Sequence, residues 1–310
     1  MAIYTPLTKT DIQQIAKNYQ LKVSDFKPIA AGNSNSNFIL QTQQGKVVLT
    51  LFEELQPERV RNIVKILKGL LSAGFSDIKP FDPISGDAMT IWAKKPVLLR
   101  TYIEGEVYQE LKASHLNQVG KALAQLHEVP IPAGISHRHH YEHPQFASVI
   151  GTNKDPEYET WLHQRLVYLE AKIPDTLPRG LIHGDLFFDN VLFKDEKFRA
   201  IIDYEDACGH DKILDIGMAI LGLCVRKKLS LKKARALLKG YQKIRYLEKS
   251  ERESLQLFTE LAAVRTSNWR FWKYHFQSPI PERVDYHRQM MAIAQSIEGI
   301  PHEVFMKAIA

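Results

Sequence analysis

The hydrophobic pattern of this chain lengthens its stride roughly a third of the way along. Over residues 8–19, Thr-Lys-Thr-Asp-Ile-Gln-Gln-Ile-Ala-Lys-Asn-Tyr sets apolar positions at helical spacing behind a threonine suited to cap them. From Ser36 to Glu53 the apolar residues gather into two runs around Gln43-Gln44-Gly45, which predicts two strands joined by a turn. Residues 57–75 spell a strong helix, with Pro57 near its start and Gly74 at its end. Two more strands are expected within 88–105. Beyond Gly105 the segments are longer and helical, at 114–129 and 156–173, and again at roughly 213–225, 231–245, 251–276 and 281–297. The pattern predicts an α+β chain with a boundary at Tyr102–Gly105. A small mixed lobe would span 1–103 and a larger helical lobe 104–310, with a cleft between them.

Composition narrows the class. The 310 residues are 45% hydrophobic, enough for one large core or two modest ones. No stretch approaches the length of apolar chain that spans a membrane. The first twenty residues contain an acid and no apolar core, so they do not read as a targeting peptide. Two cysteines, Cys208 and Cys224, are too few for a disulfide framework, and a cytoplasmic setting is expected. The net charge of +6 raises the question of nucleic acid. Its densest basic run, 225–240, is explained by the solvated face of a helix that turns Leu229, Leu231, Ala234, Leu237 and Leu238 inward. No nucleic-acid or membrane partner is expected, and a basic surface suits a polyanionic ligand such as ATP.

One region breaks the rule that acids avoid apolar runs. Leu181-Ile182-His183-Gly184-Asp185 carries an apolar run into a turn, and Asn190 follows five residues after the aspartate. Val191–Phe193 and Phe198–Ile202 then read as short strands around a polar link, and Asp203 ends the second. Carboxylates at such ends are costly unless a cation pairs with them. Two carboxylates and an amide oxygen are hard donors suited to Mg²⁺, which fills its shell with water and substrate phosphates. Phosphoryl transfer needs such a centre, with one further carboxylate to receive the proton of the acceptor hydroxyl. Asp185 would orient that hydroxyl and take its proton as the O–P bond forms, while Asn190 and Asp203 hold the metal. His-Gly-Asp-x₄-Asn arises by chance in about one chain of this length in a thousand. An Asp- and Asn-rich surface turn is the competing reading, and the apolar flanks weigh against it.

With these residues in view, the chain resembles the aminoglycoside phosphotransferase and choline kinase superfamily, relatives of the protein kinases. Within it, residues 5–21, 29–40, 47–53, 119–127 and 206–220 are similar to bacterial type II homoserine kinases. The resemblance covers most of the chain and implies a two-lobed protein kinase-like fold. It implies ATP bound under the loop at 30–38, with Gly32, Ser34, Asn35 and Ser36 near the phosphates. It also implies that His183 packs beneath the catalytic turn and that Asp215 braces it, accepting backbone N–H bonds. One departure concerns the strand lysine that protein kinases use to hold phosphates. Thr50 stands at the comparable position, and Lys46, of the same parity, lies roughly 13 Å away along a strand. Arg59, Arg61, Lys65 and Arg100 remain candidates for that charge.

The acceptor is read from the remaining polar residues. An amino-acid alcohol such as L-homoserine needs a partner for its carboxylate, best supplied by arginine. Arg265 and Arg270 lie on one helical segment about 140° apart, so they cannot both point into one site. Trp269, Phe271, Trp272 and Tyr274 on the same stretch are either core packing or a box for a quaternary ammonium such as choline. Glu205 is similar to a residue of choline kinases and is a further acceptor or metal contact, as is Asp206. An aminoglycoside would want a more acidic pocket than this basic chain offers. A kinase-like module that binds nucleotide without turnover is the alternative from another class. The tract with His137, His139, His140 and His143 has irregular spacing and reads as a surface loop rather than a metal site.

Overall fold

The threonine at position 8 caps the first helix: its hydroxyl accepts the Asp11 amide, and the Asp11 carboxylate returns a bond to the Thr8 amide. In this computed structural model the described residues are 5–29 and 35–309. They fall into two units, one running to Gly105 and regaining Pro132–Ile135, the other taking Glu106–Ile131 and the chain from Ser136 onward.

The first unit begins with α1 (Lys9–Lys17), followed by β1 (Val23–Ile29), β2 (Asn35–Thr42) and β3 (Gly45–Phe52). After these come α2 (Pro57–Ser72), β4 (Thr90–Trp92) and β5 (Lys95–Thr101). The strands form one antiparallel sheet in the order β1-β2-β3-β5-β4. Alternation along β3 sends Val47, Leu49 and Leu51 into a cluster with Ile12, Ile15 and Tyr19 of the α1 region. Val48, Thr50 and Phe52 are buried on the opposite face. Gly45 turns the β2–β3 hairpin at φ +95°, in the region that favours glycine.

The second unit contains β6 (Glu106–Val107), α3 (Ala113–His127), α4 (Pro144–Ala147), α5 (Pro156–Glu170) and β7 (Arg179–Ile182). Then come β8 (Val191–Lys194), β9 (Lys197–Ile201), β10 (Cys208–Asp211), α6 (Lys212–Cys224) and α7 (Leu231–Tyr241). The chain ends with α8 (Lys249–Trp272), α9 (Tyr286–Glu298) and α10 (His302–Ile309). Strands β6, β8 and β9 form one small sheet and β7 with β10 another. Helix α6 is buried all round from Ile213 to Cys224, as its nearly unbroken apolar sequence requires. It packs on α8, α3 packs on α7, and α9 packs on α8. The fold is α+β. Several helices differ from expectation, among them the short α4, which was not foreseen, and α7, which ends at Tyr241 rather than 245. Helix α9 begins at Tyr286 because Pro281–Arg283 forms a separate 3₁₀ turn, and α10 was not foreseen. That last helix buries only Phe305 and Ile309, too few apolar positions to stand out in sequence.

Candidate active site

Strand β7 delivers His183, Gly184 and Asp185 into a turn that several buried groups hold from behind. Gly184 has φ +86°, and a Cβ there would come within 2.7 Å of the Asp206 carbonyl oxygen and 2.9 Å of His139 Nε2. Asp215, wholly buried in the first turn of α6, accepts the His183 amide at 2.7 Å and the Gly184 amide at 2.9 Å. Burial opposes its ionisation, yet the hydrogen bonds from His127 and from the His183 amide keep its carboxyl below the usual range. His183 is buried, donates from Nε2 to the Ile202 carbonyl at 2.9 Å and accepts the Asp185 amide on Nδ1. A 3₁₀ turn at Phe188–Asn190 brings Asn190 back, and its Nδ2 donates to the Asp185 carbonyl at 2.8 Å. The Asn190 carbonyl in turn accepts the Ile202 amide at the end of β9, tying the two strand ends together. Asp203 is exposed and left-handed at φ +68°, a conformation it shares with turn residues elsewhere in the chain such as Asp195 and Glu196.

Electrostatics mark the same turn. Burial, and then the negative charges of Asp206, Asp203, Asp189 and Asp215, push the Asp185 carboxyl well above the usual carboxylate range. Crowded acids of this kind are what a divalent cation relieves. Among the described residues no three His, Cys, Asp or Glu side chains gather to cage a metal. A carboxylate and an amide oxygen completed by phosphates is nonetheless a donor set that Mg²⁺ accepts, and Asp203 with Asn190 fits it.

The histidine tract departs from expectation. His139 is buried rather than on a surface loop, and its Nε2 donates to the Gly184 carbonyl at 3.0 Å. Burial holds its pKa down to about 4. The physical reason is that the 3₁₀ turn at His140–Glu142 folds the tract against the turn at His183–Asp185. Glu142 in that turn accepts His210 Nε2–H at 3.0 Å and lies 3.4 Å from Arg265 Nη1. Burial works against its charge, but His210 and Arg265 hold its carboxyl down to about 2. Tyr141 lies within electrostatic reach of Asp185, Asp206 and Arg270, and its ring meets His139 edge-on. Sequence reasoning missed Tyr141 and Glu142 because an irregular polar tract gives no periodicity to read.

The two arginines separate as their helical spacing requires. Arg265 is buried and braces the unit, facing Glu142 at 3.4 Å and Glu170 at 3.7 Å. Arg270 is half-buried, and its Nη1 donates to the Tyr286 carbonyl at 3.3 Å. Burial lowers its pKa, and the groups within its electrostatic reach among the described residues are the hydroxyls of Tyr141, Tyr274 and Tyr286. Glu205 is partly buried beside Tyr204, and Asp206 lies 3.9 Å from His140 Nδ1. The aromatics pack and carry the protein's own cations. Phe271 is wholly buried against Tyr158 and His287, Lys273 lies over Trp269, and Arg283 lies over Tyr274.

In the first unit, Gly32 and Ser34 lie outside the described residues. Asn35 and Ser36 are buried at the start of β2; Asn35 Oδ1 accepts the Glu53 amide and Ser36 donates to the Glu53 carboxylate. Lys95 on β5 pairs with the same carboxylate, a lysine–glutamate pair that strand spacing alone did not reveal. The Thr50 hydroxyl is spent on Asn37 Oδ1 at 2.7 Å, across the β2–β3 pair. Of the cations weighed for its place, Arg61 is committed to Asp87 at 3.0 Å.

Comparison with known proteins gives a consistent neighbourhood. Residues 25–250 match the phosphotransferase enzyme family. A homoserine kinase of Xanthobacter autotrophicus is 30% identical over 275 residues, covering 86% of each chain. A homoserine kinase of Agrobacterium fabrum is 30% identical over 281 residues, covering 86% of this chain and 85% of its own. Among solved structures, an amicoumacin kinase bound to AMP-PNP and Ca²⁺ superposes with a TM-score of 0.72 at 15% identity, covering 96% of this chain and 97% of its own. A microcompartment-associated aminopropanol kinase gives 0.69 at 18% identity, covering 92% and 96%. At such identities these likenesses concern the fold, which is protein kinase-like.

Proposed function

The chain belongs to the phosphotransferase enzyme family and is a small-molecule kinase, and on that footing we propose that it phosphorylates the hydroxyl of L-homoserine with ATP. Arg270 is the observation that carries the acceptor: a half-buried guanidinium with tyrosines and, among the described residues, no carboxylate paired to it, within electrostatic reach of the Tyr141 hydroxyl that also senses Asp185. A buried cation of this kind wants an anion, and the carboxylate of an amino acid supplies it bidentately. Asp206, partly exposed near the same tyrosine, has the charge to receive the ammonium group, with Glu205 beside it. Aromatic faces already covered by Lys273 and Arg283 speak against a choline box.

In the reaction, Asp185 orients the acceptor hydroxyl toward the γ-phosphorus. The new O–P bond forms, the bond to the β-phosphate oxygen breaks, and the hydroxyl proton passes to the Asp185 carboxylate as ADP leaves. Asn190 and Asp203 would hold Mg²⁺, which when bound neutralises phosphate charge and lets Asp185 ionise. His183 and Asp215 keep the turn in place. The segment with Gly32, Ser34, Asn35 and Ser36 would cover the phosphates. We place this activity in the cytoplasm, where two buried cysteines that form no disulfide would stay reduced.

The test is steady-state kinetics of R270Q. Losing a charge-assisted bond to the carboxylate should raise KM for L-homoserine about 10- to 100-fold and leave KM for ATP nearly unchanged. An unchanged KM for L-homoserine in the folded variant would contradict the acceptor assignment.

A further inference from the structure

The hydrogen bonding that holds the catalytic turn does not end at Asp215. Its Oδ2 also accepts Nε2–H of His127 at 3.1 Å, and both side chains are wholly buried. His127 is the last residue of α3, and its Nδ1 lies 2.7 Å from the hydroxyl of Tyr241, the last residue of α7. The Tyr241 oxygen accepts Nη1–H of Arg245 at 3.1 Å. Arg245 Nη2 donates to Glu251 at 2.7 Å, in the first turn of α8. None of these residues belongs to the sequence motif around Asp185; helices α3, α7 and α8 and the turn after α7 supply them.

Only one set of proton positions satisfies every partner. An ionised carboxylate donates nothing and a guanidinium accepts nothing. His127 therefore carries its proton on Nε2, Tyr241 gives its proton to His127 Nδ1, and Arg245 donates to the Tyr241 oxygen. All three bonds point from Arg245 toward Asp215, and bonds aligned in this way polarise one another. Burial favours the neutral His127 ring, and at the far end of the line Arg245 is held in an ion pair with Glu251. Deleting any link strands a buried polar atom.

We infer that His127, Tyr241 and Arg245 are positioning residues, a buried line of aligned hydrogen bonds that fixes the Asp215 carboxylate and thereby aims Asp185. The inference rests on reading Asp185 as the orienting carboxylate and is independent of which alcohol accepts the phosphate. Displacing a reacting group by about an ångström costs on the order of 10²-fold in rate without touching substrate affinity.

The experiment combines amide hydrogen exchange at His183 and Gly184 with kinetics for H127L, H127Q and Y241F. In H127L both amides should exchange at least about tenfold faster, with kcat lower by on the order of 10²-fold and KM for ATP unchanged. Y241F should move both readouts in the same direction, by about tenfold in kcat. H127Q, whose side-chain amide can reproduce the donor to Asp215, should recover most of the loss. The ¹⁵N signature of His127 in the wild type should report the Nε2–H tautomer. Should H127L fail to fold, Y241F, which removes one oxygen, carries the test. Folded variants with unchanged exchange and kcat, or H127Q no better than H127L, would overturn the inference. Absent turnover of L-homoserine in the wild type would count against the acceptor alone, since exchange at the two amides does not depend on it.

Discussion

His139 shows how one side chain couples the site to stability. Its ring is neutral in the fold because burial holds its pKa near 4, against about 6.5 for a free imidazole. Above pH 6.5 folded and unfolded chains both carry it neutral. Below that, the unfolded chain takes up the proton first, so stability is lost progressively as pH falls from 6.5 to 4. The loss amounts to about 3 kcal/mol if the shift is fully expressed. Glu142 acts lower on the scale: with a folded pKa of about 2, its contribution is intact above pH 4.5 and disappears as pH falls toward 2. The unfolding midpoint in urea should therefore fall steadily between pH 6.5 and 4, and H139Q should flatten that slope. A wild-type midpoint constant over this range would contradict the assignment. The two residues also mark what sequence could convey. Asp215 was legible as an anchor because apolar neighbours leave a carboxylate there no solvent to face. His139 was not, because its burial depends on the carbonyl of Gly184, forty-five positions away.

Helices α3 and α7 meet through two glycines, and this crossing places His127 against Tyr241. A Cβ on Gly120 would land on the Leu237 carbonyl, and one on Gly240 on the Asn117 carbonyl. Neither backbone can yield without separating the helices. G240A should cost about 1–3 kcal/mol or more of stability, read as a lower denaturant midpoint, and should reduce kcat while the protein is still folded. A wild-type midpoint would show that the helices can spread freely. Element existence was legible wherever a period persisted over several turns, as in α2 and α3, and where a cap residue such as Thr8 or Pro57 announced the start. Ends were less so: α7 stops at Tyr241, short of the expected 245, because turn bonds from the Lys243 and Ile244 amides to the Gly240 and Tyr241 carbonyls replace the helical ladder there. The glycines at the crossing gave no signal by themselves, since only the packing partner makes them necessary.

For the whole molecule, a kinase-like fold of the phosphotransferase enzyme family was legible from about twenty residues around Asp185 and Asp203, whose chemistry admits few alternatives. The acceptor was legible only as candidates, because the residues proposed to contact it, Tyr141, Asp206 and Arg270, are dispersed along the chain. We propose that these contacts select an amino-acid alcohol. The most direct measurement is ADP release from Mg·ATP with L-homoserine, choline, hydroxylysine and several aminoglycosides as competing acceptors. The account predicts kcat/KM for L-homoserine well above the rest, by at least about tenfold. Turnover confined to choline or to an aminoglycoside would contradict it.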